Sequence, residues 1–516
     1  MTMKRNFVTA ALSMALALGC TDLSESPQSA ISPGNFYRNE AEVLAGLAGV
    51  YAQLRSTLDD YYNVSEISTD EMIVPTRGQD WYDGGTWLDL HAQTWSPTSP
   101  AAGAFLGGAW NAAFAGVSRA NVLTDALKNV TVPNQAIIES ETRALRGFYY
   151  YLLMDLFGRL PISTTGEIQA LANQSRDSVF KFIEAELLAA RPALPVAWDA
   201  ANNGRITKGM VDALLANMYI NAGVFTKDGA AGGINPTGYN ACTGVTVSGG
   251  LSACQAALNR ADSVLLSSAG YQLADTFAKN FRGDNQNSKE NIFVVKFIKQ
   301  DGLGLNFVMR ALHYNQYNPS PWNGFATIAQ TYDAFDSLDR RRQIFLIGPQ
   351  KNVETGVPVN DRAGNPLVFT KTINDITQAT EGEGARIYKF PSDPGHVAQN
   401  NGNDFPWFRL SEMYLIKAEA ELNGATGSST PLALVQAVRA RAFAVDTLSG
   451  ITLPGILQQR LFEFTGEGKR RQDLIRFGGY TAPWAFKVAG ADRNVLMPIP
   501  QGQIDANPNL TQNPGY

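Results

Sequence analysis

The chain has 516 residues and a formal net charge of −5, with 42 Lys and Arg against 47 Asp and Glu. No basic stripe is available to neutralise phosphates, which argues against a nucleic-acid partner. The length exceeds that of a typical single core, yet no clear linker interrupts it.

Met1 to Asn6 carry Lys4 and Arg5, and Phe7 to Leu18 is almost wholly apolar. A basic segment followed by a short apolar run reads as a secretory signal over residues 1–19. The run is too short to span a bilayer, which needs about 20 apolar residues. It closes in Leu16-Ala17-Leu18-Gly19-Cys20, which resembles a bacterial lipobox with Ala17 where Leu is usual. In such proteins the cysteine is acylated, and several acyl chains together give a stable membrane anchor. The alternative is an ordinary cleaved signal that happens to contain Cys20. Residues 20–35, with Ser and Pro frequent from Thr21 to Pro33, read as a polar tether. Residues 36–516 then form one domain, with an N-terminal part 36–300 and a C-terminal part 301–516.

Glu40 to Leu54 places Val43, Leu44, Leu47, Val50, Tyr51 and Leu54 on one helical face. Trp110, Phe114, Val117, Asn121 and Leu123 begin a second helix, with Glu141 to Phe157 as its partner. Asp177 to Leu188 and Lys208 to Ala222 form another pair, and Phe408 to Leu422 and Leu432 to Ala442 a late one. Small residues such as Ala213, Ala216, Ala418 and Ala420 suit facing helices, so the class is mainly α, built from tetratricopeptide-like hairpins. Long Gly/Asn/Pro-rich stretches separate them: Thr76 to Gly103, Val224 to Gly250 and Leu346 to Asp404. Long loops on a helical scaffold are usually functional. In an exported protein Cys242 and Cys254 can pair across a short loop, worth on the order of 3 kcal/mol in the chain-entropy model. The alternative is two free thiols.

Signatures of catalysis are absent. There is no His-Glu-x-x-His, Gly-x-Ser-x-Gly or Cys/His metal spacing, and no cofactor is expected. Gly468-Lys469 lacks the other residues of a phosphate loop, because Glu463 and Arg470 stand where Gly and Ser or Thr are required. His91, His313 and His396 are isolated and read as surface or packing residues. Asp284, Asn285, Asn287 and Glu290 offer oxygens, but not at the spacing of a calcium loop, and a capped turn explains them. The pairs Asp59-Asp60 and Asp70-Glu71 leave a hydrolase open without supporting one.

What rises above background is aromatic content in two loops. Arg77, Asp80, Trp81, Tyr82 and Trp87 form one cluster, and Tyr314, Asn315 and Trp322 another. Aromatic faces stack on sugar C–H faces or peptide side chains, and neighbouring polar groups bond hydroxyls or amides. The alternative is that the rings only anchor the loops. Trp110 and Tyr149 to Tyr151, at helical spacing, read as core.

The last third carries a resemblance. Phe408-Arg409-Leu410-Ser411-Glu412-Met413-Tyr414-Leu415, Val438-Arg439-Ala440-Arg441-Ala442 and Glu467-Gly468-Lys469-Arg470-Arg471-Gln472-Asp473-Leu474-Ile475-Arg476 resemble motifs of the SusD/RagB family of outer-membrane nutrient-binding lipoproteins. Leu496-Met497-Pro498-Ile499-Pro500, Asn507-Pro508-Asn509-Leu510 and Gln512-Asn513-Pro514-Gly515-Tyr516 resemble its terminal motifs, and Cys20-Thr21-Asp22-Leu23, Pro27 and Phe36 its lipidated tether. One departure is Gln459, where the family usually has Glu. Read locally, Glu467 and Arg471 make an i, i+4 helical pair, and Asp473 reaches Lys469 or Arg476. The resemblance implies a right-handed superhelical scaffold with long loop insertions, and a ligand site in the two aromatic loops. It implies a non-enzymatic lipoprotein on the cell outer membrane, facing outward through the Cys20 anchor. Such a protein hands oligosaccharides, or alternatively peptides, to a SusC-like TonB-dependent barrel. A structural adaptor without a small ligand is the other class left open by the helix pairs.

Overall fold

The computed structural model describes residues 36–516; the expected signal, Cys20 and the tether lie outside the described residues. The first helix, α1 (Glu40–Ile67), starts where Asn39 Oδ1 accepts the Glu42 N–H at 3.1 Å. It runs well beyond Leu54, because Leu58, Tyr61, Val64 and Ile67 continue the apolar stripe and are all buried.

Four helices follow: α2 (Thr86–Ala92), α3 (Gly107–Ala126), α4 (Gln135–Phe157) and α5 (Arg176–Ala190). Next come α6 (Lys208–Ile220) and α7 (Ala253–Leu265), then α8 (Leu410–Leu422), α9 (Pro431–Arg439), α10 (Leu453–Phe464) and α11 (Arg470–Arg476). Ser or Thr side chains cap several starts: Ser175, Thr207, Ser252, Thr430 and Thr452 each accept a backbone N–H from the first turn. Of these, α2, α7, α10 and α11 were not read from the periodicity.

α1 packs on α3, α3 on α4, and α4 on α5; α7 packs on both α6 and α8, and α8 on α9. α3 and α4 approach closely because Gly116 has no Cβ, which would stand 2.4 Å from the Tyr149 ring. The Tyr149 hydroxyl donates to Val50 O at 2.6 Å, tying α4 to α1. Trp110 and Tyr149 to Tyr151 belong to this core. The expected pairing of α5 with α6 is corrected. Glu186 of α5 instead takes Arg146 of α4 at 2.5 Å and Arg143 at 3.0 Å, while Asp212 of α6 takes Arg260 of α7 at 2.9 Å. Cys242 and Cys254 form a disulfide that fixes the Gly-rich loop to the start of α7.

Phe408 and Arg409 were assigned to a helix; they end a strand instead. β1 (Asn291–Val295) pairs antiparallel with β2 (Phe405–Arg409), Phe293 opposite Phe408 and Val295 opposite Phe405. The strand delivers Arg409 into the protein interior, where it meets Glu290 at 2.7 Å, Glu463 at 2.8 Å and Glu467 at 2.6 Å. Burial disfavours the charged Arg409, but these carboxylates outweigh it and raise its pKa. Arg441 joins Glu290 and Glu463, Arg341 joins Glu463, and Lys389 joins Glu467. The expected Glu467–Arg471 helical pair does not form, since α11 begins only at Arg470. Arg471 reaches Asp155 at 3.0 Å, and Lys469 reaches Glu412 at 3.3 Å. Asp473 takes Arg476 at 2.8 Å and Arg460 at 2.7 Å. Gln459 accepts from Arg341 and Arg439, each at 3.3 Å, serving two cations without a charge of its own.

Candidate functional site

The two aromatic loops, far apart in sequence, meet. Beyond α1 the chain runs extended, and Ile73 exchanges backbone hydrogen bonds with Ala326 at 2.8 and 2.9 Å. That bridge brings residues 77–87 alongside residues 313–325. Arg77 and Asp80 exchange backbone bonds at 2.9 and 3.1 Å around a tight turn, which Gly78 permits with φ +67°. Trp81 follows at φ 63° and Asp83 at φ 41°, left-handed conformations that non-glycine residues adopt only when surroundings hold them. For Trp81 the hold is visible. Its Nε1 donates to Trp322 O at 2.6 Å, and its ring lies so close over Gly324 that a Cβ there would sit 2.4 Å away.

A third segment completes the cluster. Thr76 N–H donates to Ile376 O and Ala379 N–H to Thr76 O, both at 2.9 Å. The Arg77 guanidinium donates to the carbonyls of Thr380 and Glu383, and buried Arg386 gathers those of Glu381, Glu383 and Gly384. These cations fold the 380–384 segment so that Glu381 meets two partners. His313 Nε2 lies 2.8 Å from Glu381 Oε2, and Arg362 pairs with the other oxygen. Since His313 Nδ1 accepts the Asn315 N–H at 3.2 Å, Nε2 carries the ring proton and donates to Glu381. Burial pulls the His313 pKa below the ordinary range in spite of Glu381, so the ring is neutral. Burial opposes ionisation of Glu381, but Arg362 and His313 prevail and hold it at about 2.

Tyr314 sits inside this ring of charge. Its hydroxyl donates to Asp80 Oδ2 at 2.6 Å, and the Arg362 guanidinium stacks 4.2 Å from its ring centroid while reaching Asp80 at 3.1 Å. Burial, then Asp80, push the Tyr314 hydroxyl up to about 12. Asn315 donates to Asn360 O at 2.7 Å at the exposed edge. Tyr82 is 60% exposed, and Trp322 is half-buried against Met309 and Tyr317.

The expected residues therefore divide. Asp80 and Tyr314 are hydrogen-bonded to each other, Tyr82 and Asn315 are exposed, and Trp322 is half-buried. Trp81 is half-buried and packs edge-on to Trp87 and Phe325. Arg77 and Trp87 are buried, Arg77 holding carbonyls and Trp87 donating to Asp83 at 2.7 Å. Arg362, Glu381 and His313 were not foreseen as site residues. The turn at Asp361 to Asn365 is legible from its Asp, Gly and Asn, but nothing in the sequence says which tyrosine it reaches.

Among the described residues no group of three or more His, Cys, Asp or Glu is placed to hold a metal ion. Asn285 donates to Asn280 O and Asp404 O, and Glu290 is committed to Arg409 and Arg441. No helix among the described residues is long and apolar enough to cross a membrane.

Comparison with known proteins agrees with this architecture. A family model described as the SusD family matches residues 276–516, and one described as starch-binding associating with outer membrane matches residues 39–220. Two SusD-type family models thus match separate parts of the chain, which together span most of its described residues. The starch-binding protein SusD of Bacteroides thetaiotaomicron is 24% identical, the match covering 88% of this chain and 85% of that protein. SusD-like protein P2 of Formosa agariphila is 23% identical over the full length of both. Among solved structures, surface glycan-binding protein A from Bacteroides thetaiotaomicron in complex with laminarihexaose superposes with a TM-score of 0.73. It is 22% identical, and the match covers 92% of this chain and 99% of that one. A laminarin-binding SusD-like protein gives 0.70 at 24% identity, covering 93% and 100%.

Proposed function

We propose that this protein is a non-catalytic, cell-surface glycan-binding lipoprotein that captures oligosaccharides on the surface formed by Tyr82, Tyr314, Trp322, Asp80 and Asn315. The observation that carries the reading is the convergence of two aromatic loops, with Tyr314 held rigid between Asp80 and Arg362. A preorganised ring loses little freedom on binding, and the polar groups around it match hydroxyls. The relatives support a glycan over a peptide, since their names specify starch and laminarin. Glu381, ionised down to about 2, is unsuited to act as a general acid at neutral pH. Cys20 would anchor the protein to the outer membrane, outward-facing, beside a SusC-like TonB-dependent barrel that imports the bound ligand.

Calorimetric titration with laminarihexaose and maltohexaose tests the site. Tyr314→Ala and Trp322→Ala should each weaken binding about tenfold, or ~1.4 kcal/mol. Unchanged affinity in both folded variants would sink the assignment. The anchor is tested by fractionation: Cys20→Ala should move the protein from membranes to the soluble fraction, and retention on membranes would refute the lipidation.

A further inference from the structure

Away from the aromatic loops, a cavity of about 160 Å³ opens between β1 and the connection leading into α6. It shares no residue with the site described above. Three aromatic side chains line it, Trp198, Tyr271 and Phe293. Trp198 is fixed on two sides: its Nε1 donates to Ile206 O at 2.9 Å, and the Arg205 guanidinium stacks 4.0 Å from its ring centroid. Arg205 is the only charged residue in the lining, and it is neutralised by buried Glu141 at 2.6 Å. The cavity therefore carries no free charge.

Its remaining polar lining is mostly amide. Asn203, Asn285, Gln286 and Asn291 face it, with the Thr207 and Ser288 hydroxyls. Asn291 is the informative member. Its Nδ2 donates to Asn280 O and Asn285 O, at 3.4 and 3.3 Å, but its buried Oδ1 accepts nothing from the protein. An orphaned acceptor at a cavity wall calls for a donor from outside. Asn203, Gly204, Arg205 and Val294 also line an adjoining groove of about 560 Å³ against Tyr51 and Leu47 of α1, so the cavity and the groove share a wall.

We propose that this cavity is a second binding site, for an uncharged sugar, independent of the loop site. The fixed indole and phenol supply apolar faces for sugar C–H groups, and the amides pair with hydroxyls in either sense. The adjoining groove accommodates further rings of an oligosaccharide. Within the cavity itself no unpaired cation is available, which selects there against a uronate, whose carboxylate would lose its hydration for no ion pair; Arg55 and Lys296 line only the adjoining groove.

The experiment uses the Tyr314→Ala/Trp322→Ala double variant, which removes the first site, and ligand-observed saturation-transfer NMR. The probes are glucose and laminaribiose, with glucuronate as the charged control. Both neutral sugars should give signal in the double variant, and glucuronate none. Gln286 is exposed, so Gln286→Ala preserves the fold, and it should reduce the signal about fivefold; Trp198→Ala should abolish it. Absence of signal from both neutral sugars in the double variant, equal signal from glucuronate, or indifference to both added substitutions overturns the proposal. Should the double variant bind laminarihexaose like the wild type, the first site is wrong, and the Gln286 and Trp198 comparisons still decide the second.

Discussion

Trp81 spends its single hydrogen-bond donor on a carbonyl of the facing loop, and its ring fills the space that Gly324 leaves open. A tryptophan used this way sets the distance between two loops, and on the proposed reading it leaves ligand contact to its neighbours Tyr82 and Trp322. Trp81→Phe keeps an aromatic ring but deletes the bond and part of the indole's packing over Gly324. It should cost about 1 kcal/mol in urea unfolding and weaken laminarihexaose binding in calorimetry, because Trp322 is no longer tethered. Undiminished stability and affinity together would show that the bond does not hold the loops. Arg77 teaches the same lesson with charge. Read as a ligand contact, it gathers carbonyls from a segment some three hundred residues away.

At the scale of elements, the end of α1 and the turn between α10 and α11 share two buried carboxyl groups. Glu66 accepts the Gly468 N–H, and Glu71 accepts the Gly466 N–H at 3.1 Å. Burial raises both, Glu66 to about 7 and Glu71 well above its ordinary value; the Glu66 carboxylate pushes Glu71 further up, while the hydrogen bond from the Glu71 carboxyl favours ionised Glu66. The sign follows from linkage. The folded protein holds a proton that the unfolded chain releases near pH 4.3, so this contribution is complete below that pH and declines as pH rises through 7. The slope is about 1.4 kcal/mol per pH unit for one proton. Glu71→Gln should flatten the decline in urea midpoint between pH 5.5 and 8 relative to the wild type; parallel curves would rule the pair out. Periodicity made the long helices legible, α3 and α4 most clearly, because their apolar stripes persist over several turns. It stopped α1 at Leu54, where Asp59 and Asp60 interrupt the stripe, and it missed short α2 and α11, which offer too few turns to show a period. The strand β2 was hidden because Phe405-Pro406-Trp407-Phe408 is buried throughout, so no alternation appears. In the site, the aromatic segments could be seen; Arg362 and Glu381 could not, since long-range contacts leave no local pattern.

For the whole molecule, the charged motifs of the last third are fastenings rather than surface decoration. Arg470 reaches Asp70, Arg471 reaches Asp155, Arg476 reaches Asn221, and Arg409 and Arg441 reach Glu290. Each bond runs from the C-terminal part back to the N-terminal part, and a buried ion left without its partner costs several kcal/mol. These contacts tie the parts 36–300 and 301–516 together, and the expected outcome is that they unfold as one cooperative unit. A chain ending after residue 450 keeps α1 to α9 but loses Glu463, Glu467 and α11; it should show no cooperative melting transition by circular dichroism, and a sharp transition would contradict the coupling.

The buried ion pairs also set an order of events. A chain is made from its N-terminus, so Asp70, Asp155 and Glu290 emerge long before the arginines that neutralise them. Until the last stretch arrives, the early helices carry acidic groups whose burial is costly without their partners. The latch that stabilises the finished protein is therefore completed only when its C-terminal arginines are in place.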